Sequence, residues 1–230
     1  MLTPDQIKEK VGWAAAQLVK EGMTIGAGTG STAFWFIQAL GMRVKEGLQC
    51  RAVPTSAHTH ELLTMQNIPV VQLNDVDKLD LVVDGADEID EELQLIKGGG
   101  GALLREKMVA FAGIQYVIIA DNSKLVQQLG SFPLPIEVIP YGFRQVQRCI
   151  ENKYGIKVSL RVKTGQPFLT DNHNYILDIS LNQIHDLKAV QAFLKSIPGV
   201  VEDGLFLDMA QEAIIGYPNG ELRLLKNKSH

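Results

Sequence analysis

Apolar side chains recur every three or four positions near the start of the chain. Ile7, Val11, Ala14, Ala15 and Leu18 come after Thr3-Pro4-Asp5. A hydroxyl residue, a proline and an acid form a helix start, and the spacing lays one apolar stripe along the helix it opens. Short apolar runs then alternate with further helical stretches. The pattern predicts strands at 23–27, 48–53, 68–72, 79–83, 92–96 and 115–120, and helices at 31–40, 57–66 and 102–112. Strands alternating with helices imply a mainly parallel sheet covered on both faces.

Near Gly130 the pattern changes. SFPLPIEVIP (131–140) holds three prolines in ten residues, a crossing between two domains. Beyond it the order is strand 136–139, helix 141–153, strands 156–161 and 175–181, helix 187–196 and strand 200–206. TDNHN (170–174) supplies turn chemistry between the middle strands. The order βαββαβ is the ferredoxin-like arrangement. A Pro-Asn-Gly turn inside AIIGYPNGELRLLK (213–226) predicts a terminal hairpin that returns to the first domain. The expected division is 1–130 plus 207–230 for the larger domain and 131–206 for the smaller.

Of the 230 residues, 46% are hydrophobic and 21% charged, and the net charge is −4. That balance allows a buried core but gives no basic face for nucleic acid or anionic lipid. Any anion must therefore be captured by local geometry. Cys50 and Cys149 stand in no metal-binding or redox spacing, which suits a reduced compartment. The first residues, MLTPDQIKEK, lack the apolar core of a signal peptide, and no apolar stretch approaches membrane-spanning length. A cytoplasmic protein without membrane or nucleic-acid partners is expected.

Three segments carry candidate chemistry. GAGTGST (26–32) joins a strand to a helix, where free backbone N–H groups and the helix dipole attract anions. Ser31 stands where a dinucleotide fingerprint needs its third glycine, and the Gly-Lys pair of a P-loop is missing. What remains suits a single phosphate, with Thr29, Ser31 and Thr32 as donors, or else an ordinary turn capped by Ser31. VVDGADEID (82–90) gathers Asp84, Asp87, Glu88 and Asp90 at a strand end without calcium-loop spacing or a nearby histidine. Asp84 and Asp87 can face the crevice there, while Glu88, Asp90, Glu91 and Glu92 are expected in solvent. LIKGGGGALLREK (95–107) sets Lys97 before four glycines and places Glu106 in the apolar stripe Ala102, Leu103, Glu106, Val109, Ala110, Gly113. Burial would lift Glu106 toward the range of a general base, although a capping or surface role is the commoner fate of a glutamate. Four glycines imply close approach of backbone to a ligand, or a loose surface hairpin.

Taken together, GAGTGSTA, DGADEID and KGGGGALLREK resemble the motifs of ribose-5-phosphate isomerase type A, and VGWAA, FPLPIEVIP and IPGVVEDGLF extend the resemblance over nearly the whole chain. It implies an α/β protein, a Rossmann-like mainly parallel domain with a smaller ferredoxin-like α+β domain. It also implies reversible conversion of D-ribose 5-phosphate to D-ribulose 5-phosphate in the non-oxidative pentose phosphate pathway, with no metal or other cofactor. By motif, substrate would be bound by Thr29, Gly30, Ser31 and Thr32, by Asp84, Gly85, Ala86 and Asp87, and by Lys97, Gly98, Gly99 and Gly100. Glu106 corresponds to the base, Asp84, Asp87 and Lys97 to its catalytic partners, Lys124 to a further substrate lysine and Lys8 to a phosphate lysine. The aspartates would hold sugar hydroxyls while Lys97 stabilises an enediolate, leaving open which aspartate shuttles the proton between O1 and O2. Leu104 stands where the family often has threonine, and VPTSAHT (53–59) is a segment that varies among relatives. Relatives are usually dimers, so a homodimer is expected. Two other readings share the fold. A non-catalytic sugar-phosphate sensor would bring a DNA-binding element, for which this chain has neither the length nor the basic face, and an acyl-CoA transferase would bind coenzyme A.

Overall fold

The computed structural model describes residues 1–227. Its main sheet has six strands, in the order Leu222–Lys226, Glu212–Gly216, Tyr116–Asp121, Leu81–Asp84, Thr24–Ala27 and Arg51–Pro54. Neighbours run parallel except at the Leu222–Lys226 edge, which is antiparallel. Side chains alternate across a strand, and here the two sets enter different cores. Leu81, Val83, Val117 and Ile119 pack with Ile7, Val11 and Ala15 of the helix Pro4–Ala16 and with Phe36, Ile37 and Leu40 of Ser31–Lys45. Val82, Tyr116 and Ile118 pack with Val109 and Ala110 of Leu103–Phe111 on the other face. The first helix starts as the sequence predicts. Thr3 and Gln6 form a reciprocal capping box with Pro4 in the first turn.

A second sheet of four antiparallel strands has the order Val200–Asp203, Leu134–Val138, Tyr175–Ile179, Val158–Leu160. Counted along the chain this is fourth, first, third, second, the ferredoxin-like order. Helices Phe143–Tyr154 and Leu187–Lys195 contribute Val146, Ile150, Val190 and Leu194 to its core. The terminal hairpin returns to the main sheet as expected, with Glu212–Gly216 beside Tyr116–Asp121.

Three predicted strands differ. In place of 68–72 there is a single bridge between Val70 and Ala52. Of 92–96 only Leu95–Ile96 is extended, paired with Glu88–Ile89 across a turn in which Asp90 Oδ1 accepts the N–H groups of Glu92 and Gln94. Leu93 takes a left-handed φ of 59° there, which ends any continuous strand while burying its side chain. The stretch 200–206 divides at Gly204: Val200–Asp203 joins the small sheet, whereas Leu205–Phe206 pairs with Leu95–Ile96. Glu88 also corrects the solvent-facing expectation. It is 4% exposed, and its carboxylate accepts the N–H groups of Gly130 (2.7 Å) and Phe132 (2.6 Å).

Candidate active site

Three adjacent parallel strands end at Ala27, Asp84 and Asp121, so their following loops share the carboxyl edge of the sheet. Ligands of open α/β sheets gather at this edge. A cavity of about 170 Å³ lies there, lined by loop residues 29–32, 85–87 and 97–100 together with Lys8, Glu106, Asp121 and Lys124. It brings together every residue the sequence nominated except Asp84, which stands outside the lining. Asp121 is the addition. It is 8% exposed, and its Oδ1 accepts from the backbone and hydroxyl of Ser123. Its signal in the sequence was the acid closing a strand, the same position that singled out Asp84.

Asp84 is fully buried, and its Oδ1 accepts the N–H groups of Gly85 (2.7 Å) and Thr29 (3.1 Å). A side chain at Gly28 would put its Cβ 2.0 Å from that oxygen, so the glycine of GAG lets the phosphate-loop candidate and the aspartate close on each other. The other carboxylate oxygen is 3.1 Å from Lys97 Nζ. Lys97, 2% exposed, also donates to Gly85 O (2.5 Å) and stands 3.4 Å from Glu106 Oε1. Burial pulls the lysine pKa down, but the charges of Asp84 and Glu106 outweigh it, so the ammonium is held well above its usual range.

Glu106 is 4% exposed in the first turn of Leu103–Phe111, and its Oε2 makes no hydrogen bond. Desolvation raises its pKa to about 8, against the pull of Lys97 and with a push from Asp84 and Asp87. Burial likewise raises Asp84, with Lys97 opposing. Asp87 lines the cavity while its Oδ2 accepts Gly99 N–H at 2.8 Å. The glycine run is therefore not a loose hairpin. Gly98 and Gly101 take φ of 104° and 83°, and Gly99 lies against the Asp87 carboxylate.

The helix Ser31–Lys45 starts from Gly30 without a side-chain cap and with no acid in its first turn, so Ser31 does not cap it. Its first N–H groups remain free of the side-chain partner that helix ends usually recruit. Ser31 is exposed and Thr32 buried, both lining the cavity, whereas the Thr29 hydroxyl contacts Thr55, Ser56 and Thr59. Lys8 and Lys124 add two positive charges to the same lining. Among the described residues, no group of three His, Cys, Asp or Glu converges as a metal-ligand set.

A buried carboxylate with a pKa near 8 can take a proton from carbon, while the fixed ammonium beside it holds the resulting oxyanion. The family model of ribose 5-phosphate isomerase A (phosphoriboisomerase A) matches residues 51–220. This chain belongs to that family. It is 53% identical over 215 residues to the ribose-5-phosphate isomerase A of Bacillus mycoides, covering 93% of this chain and 97% of the relative. The structure of ribose 5-phosphate isomerase A from Methanocaldococcus jannaschii superposes with a TM-score of 0.91 at 40% identity, over 97% of this chain and all of that one. A D-ribose-5-phosphate isomerase in complex with phospho-erythronic acid gives 0.94 at 36% identity, over 98% of this chain and 100% of that chain. The α/β fold read from the sequence is the fold these relatives share.

Proposed function

We propose that this chain interconverts D-ribose 5-phosphate and D-ribulose 5-phosphate through an enediolate, with Glu106 carrying the proton between C2 and C1. The observation that supports it most is Glu106 itself: buried, on the cavity, one oxygen unbonded and the other 3.4 Å from Lys97. A base with a pKa near the working pH balances availability against driving force. Lys97 donates to Gly85 O and forms ion pairs with Asp84 and Glu106, and the contact to Glu106 is the longest. That is the contact to exchange for a substrate oxygen once Glu106 takes up the C2 proton and loses its charge. Asp84 keeps the ammonium protonated and fixed, so stabilisation of the enediolate needs only that exchange of one contact. Asp87 and Asp121 offer carboxylates to sugar hydroxyls, and Lys8 and Lys124 match the charge of a phosphate near −2.

The cavity is smaller than the roughly 300–1,000 Å³ usual for drug-sized ligands, which favours a five-carbon phosphate over coenzyme A. Three further expectations belong with this reading. The division into 1–130 plus 207–230 and 131–206 is supported by the separate small sheet, with Leu205–Phe206 at the seam. A homodimer is supported by exposed Met108, Phe111 and Ile114, and light scattering tests it. A cytoplasmic setting is supported by two free thiols. The deciding experiment is an aldose–ketose assay on ribose 5-phosphate in deuterated water. Ketose should form with solvent deuterium entering at the shuttled carbon. No turnover, together with saturable binding of coenzyme A, would replace this reading with the acyl-CoA one.

A further inference from the structure

We infer that Thr55 and Thr59 are positioning residues that hold the 28–30 turn in its anion-binding form. The inference rests on the reading that the substrate phosphate seats on that turn. Both lie in VPTSAHT, where the next strand ends and helix Ala57–Met65 begins, and both are buried, at 0% and 1% exposure. Thr29 Oγ1 stands 2.7 Å from Thr55 Oγ1, 2.9 Å from Ser56 Oγ and 3.0 Å from Thr59 Oγ1.

Counting protons shows what this cluster does. Each hydroxyl has one to give. Thr55 donates to Ala27 O (3.1 Å), Thr59 to Gly28 O (2.9 Å), and Ser56 to Thr59 Oγ1 (3.0 Å). The Thr29 proton then goes to Ser56 Oγ or Thr55 Oγ1. All four are used inside the cluster, so Thr29 has no hydroxyl proton for a ligand. Two of the recipients are the carbonyls that open the turn. Fixing the carbonyl oxygens of Ala27 and Gly28 on one side fixes the following peptide planes, and with them the Thr29 N–H bound to Asp84. A bound phosphate thus meets backbone N–H groups, Ser31 and Thr32, held by hydroxyls it does not touch.

Val has nearly the shape of Thr but no hydroxyl, so Thr59→Val and Thr55→Val remove the hydroxyl tethers with little change in volume, while the backbone N–H of residue 55 still reaches Ala27 O (3.1 Å). We expect each to raise both the KM for ribose 5-phosphate and the inhibition constant of inorganic phosphate about tenfold, equivalent to about 1.4 kcal/mol. The effect should fall on KM rather than kcat, as for ground-state binding. Thr59→Ser, which restores the hydroxyl, should restore both constants. A folded Thr59→Val protein with wild-type constants, or a Ser variant as weak as the Val one, overturns the inference, even where thermal stability drops. Should Thr59→Val not fold, Thr55→Val is read in the same way. Ser31→Ala combined with Thr32→Ala separates the two readings. If that pair leaves phosphate inhibition unchanged, the phosphate sits elsewhere and both readings fall. If it weakens inhibition while the Val variants do not, only the tethering role falls.

Discussion

Replacing Glu106 by Gln isolates the proposed proton transfer, because the amide keeps the side chain's volume and reach but cannot accept a proton from carbon. Positioned general acid–base catalysis contributes about 10²–10⁴-fold, or roughly 3–5 kcal/mol of barrier at about 1.4 kcal/mol per decade. Turnover should therefore fall at least about a hundredfold, and exchange of the C2 hydrogen with solvent should fall with it. The same residue sets the pH dependence. Only the ionised form is a base, and its pKa is about 8. In the wild-type enzyme kcat/KM should therefore climb from pH 6 and level off above pH 8, roughly tenfold higher at pH 9 than at pH 7 by simple titration. In Glu106→Gln that limb should vanish, leaving a flat residual rate.

Stability responds to the same group with the opposite sign. The folded pKa of about 8 lies above the ordinary 4.5, so between these values the folded state binds more protons than the unfolded one. Glu106's contribution to stability is then fully present below pH 4.5 and is lost as pH rises through 8. The Gln variant, which cannot ionise, should lose less Tm than the wild type between pH 6 and 9. Initial rates and thermal melts on both proteins across that range measure all of this. A variant retaining more than about a tenth of wild-type turnover, below the smallest loss expected of a general base, would refute the assignment. So would an acid limb that persists in the variant.

Other perturbations test the surroundings. Lys97→Met should abolish turnover and also destabilise, because it strands Asp84; breaking a buried ion pair costs about 3–5 kcal/mol. Urea melts should show that deficit shrinking as pH falls and Asp84 takes up a proton. Glu88→Ala leaves two N–H groups without their acceptor, so it should cost about 1–3 kcal/mol in the same melts, with kcat little changed. EDTA should leave turnover intact, since the Lys97 ammonium already occupies the place beside the carboxylates where a cation would act. Activity lost to chelation and restored by one divalent ion would contradict this.

Local signals carried most of the reading from sequence. The alternation of runs and stripes gave the parallel sheet, and the interruption of one stripe by Glu106 marked the buried carboxylate proposed as the base. What escaped was set by partners far along the chain. Glu88 looked solvated beside Asp87 and Asp90, yet the N–H groups it accepts belong to Gly130 and Phe132, more than forty residues on. Thr29 looked like a phosphate donor because its hydroxyl partners sit in the next strand-to-helix turn. Asp121 closes its strand just as Asp84 does, but no glycine-rich loop follows to advertise it. The strand expected at 200–206 carries Gly204 in its interior, and the backbone contact of Gly204 with Lys97 shows why it divides there.

That division ties the proposed proton-transfer site to the small antiparallel sheet. Gly204 O accepts the backbone N–H of Lys97 at 2.9 Å, and Leu205–Phe206 pairs with the two residues preceding that lysine. The ring of Phe206 lies 5.4 Å from the Lys97 ammonium and 4.7 Å from that of Lys107, the residue after Glu106. Lys107 in turn reaches Glu202 (2.8 Å) and the carbonyl of Asp203 (2.6 Å). Burial raises the Glu202 pKa, but Lys107 outweighs it and holds the carboxyl below its usual range, so this contact stays charged at neutral pH. Five consecutive residues, 202–206, therefore grip the segment carrying Lys97 and the helix carrying Glu106 at once. Lys97 and Glu106 come from different elements, and a misplacement of about 1 Å can cost about 10²-fold in rate. A single clamp touching both fixes their separation directly, which contacts made to each element independently would not do.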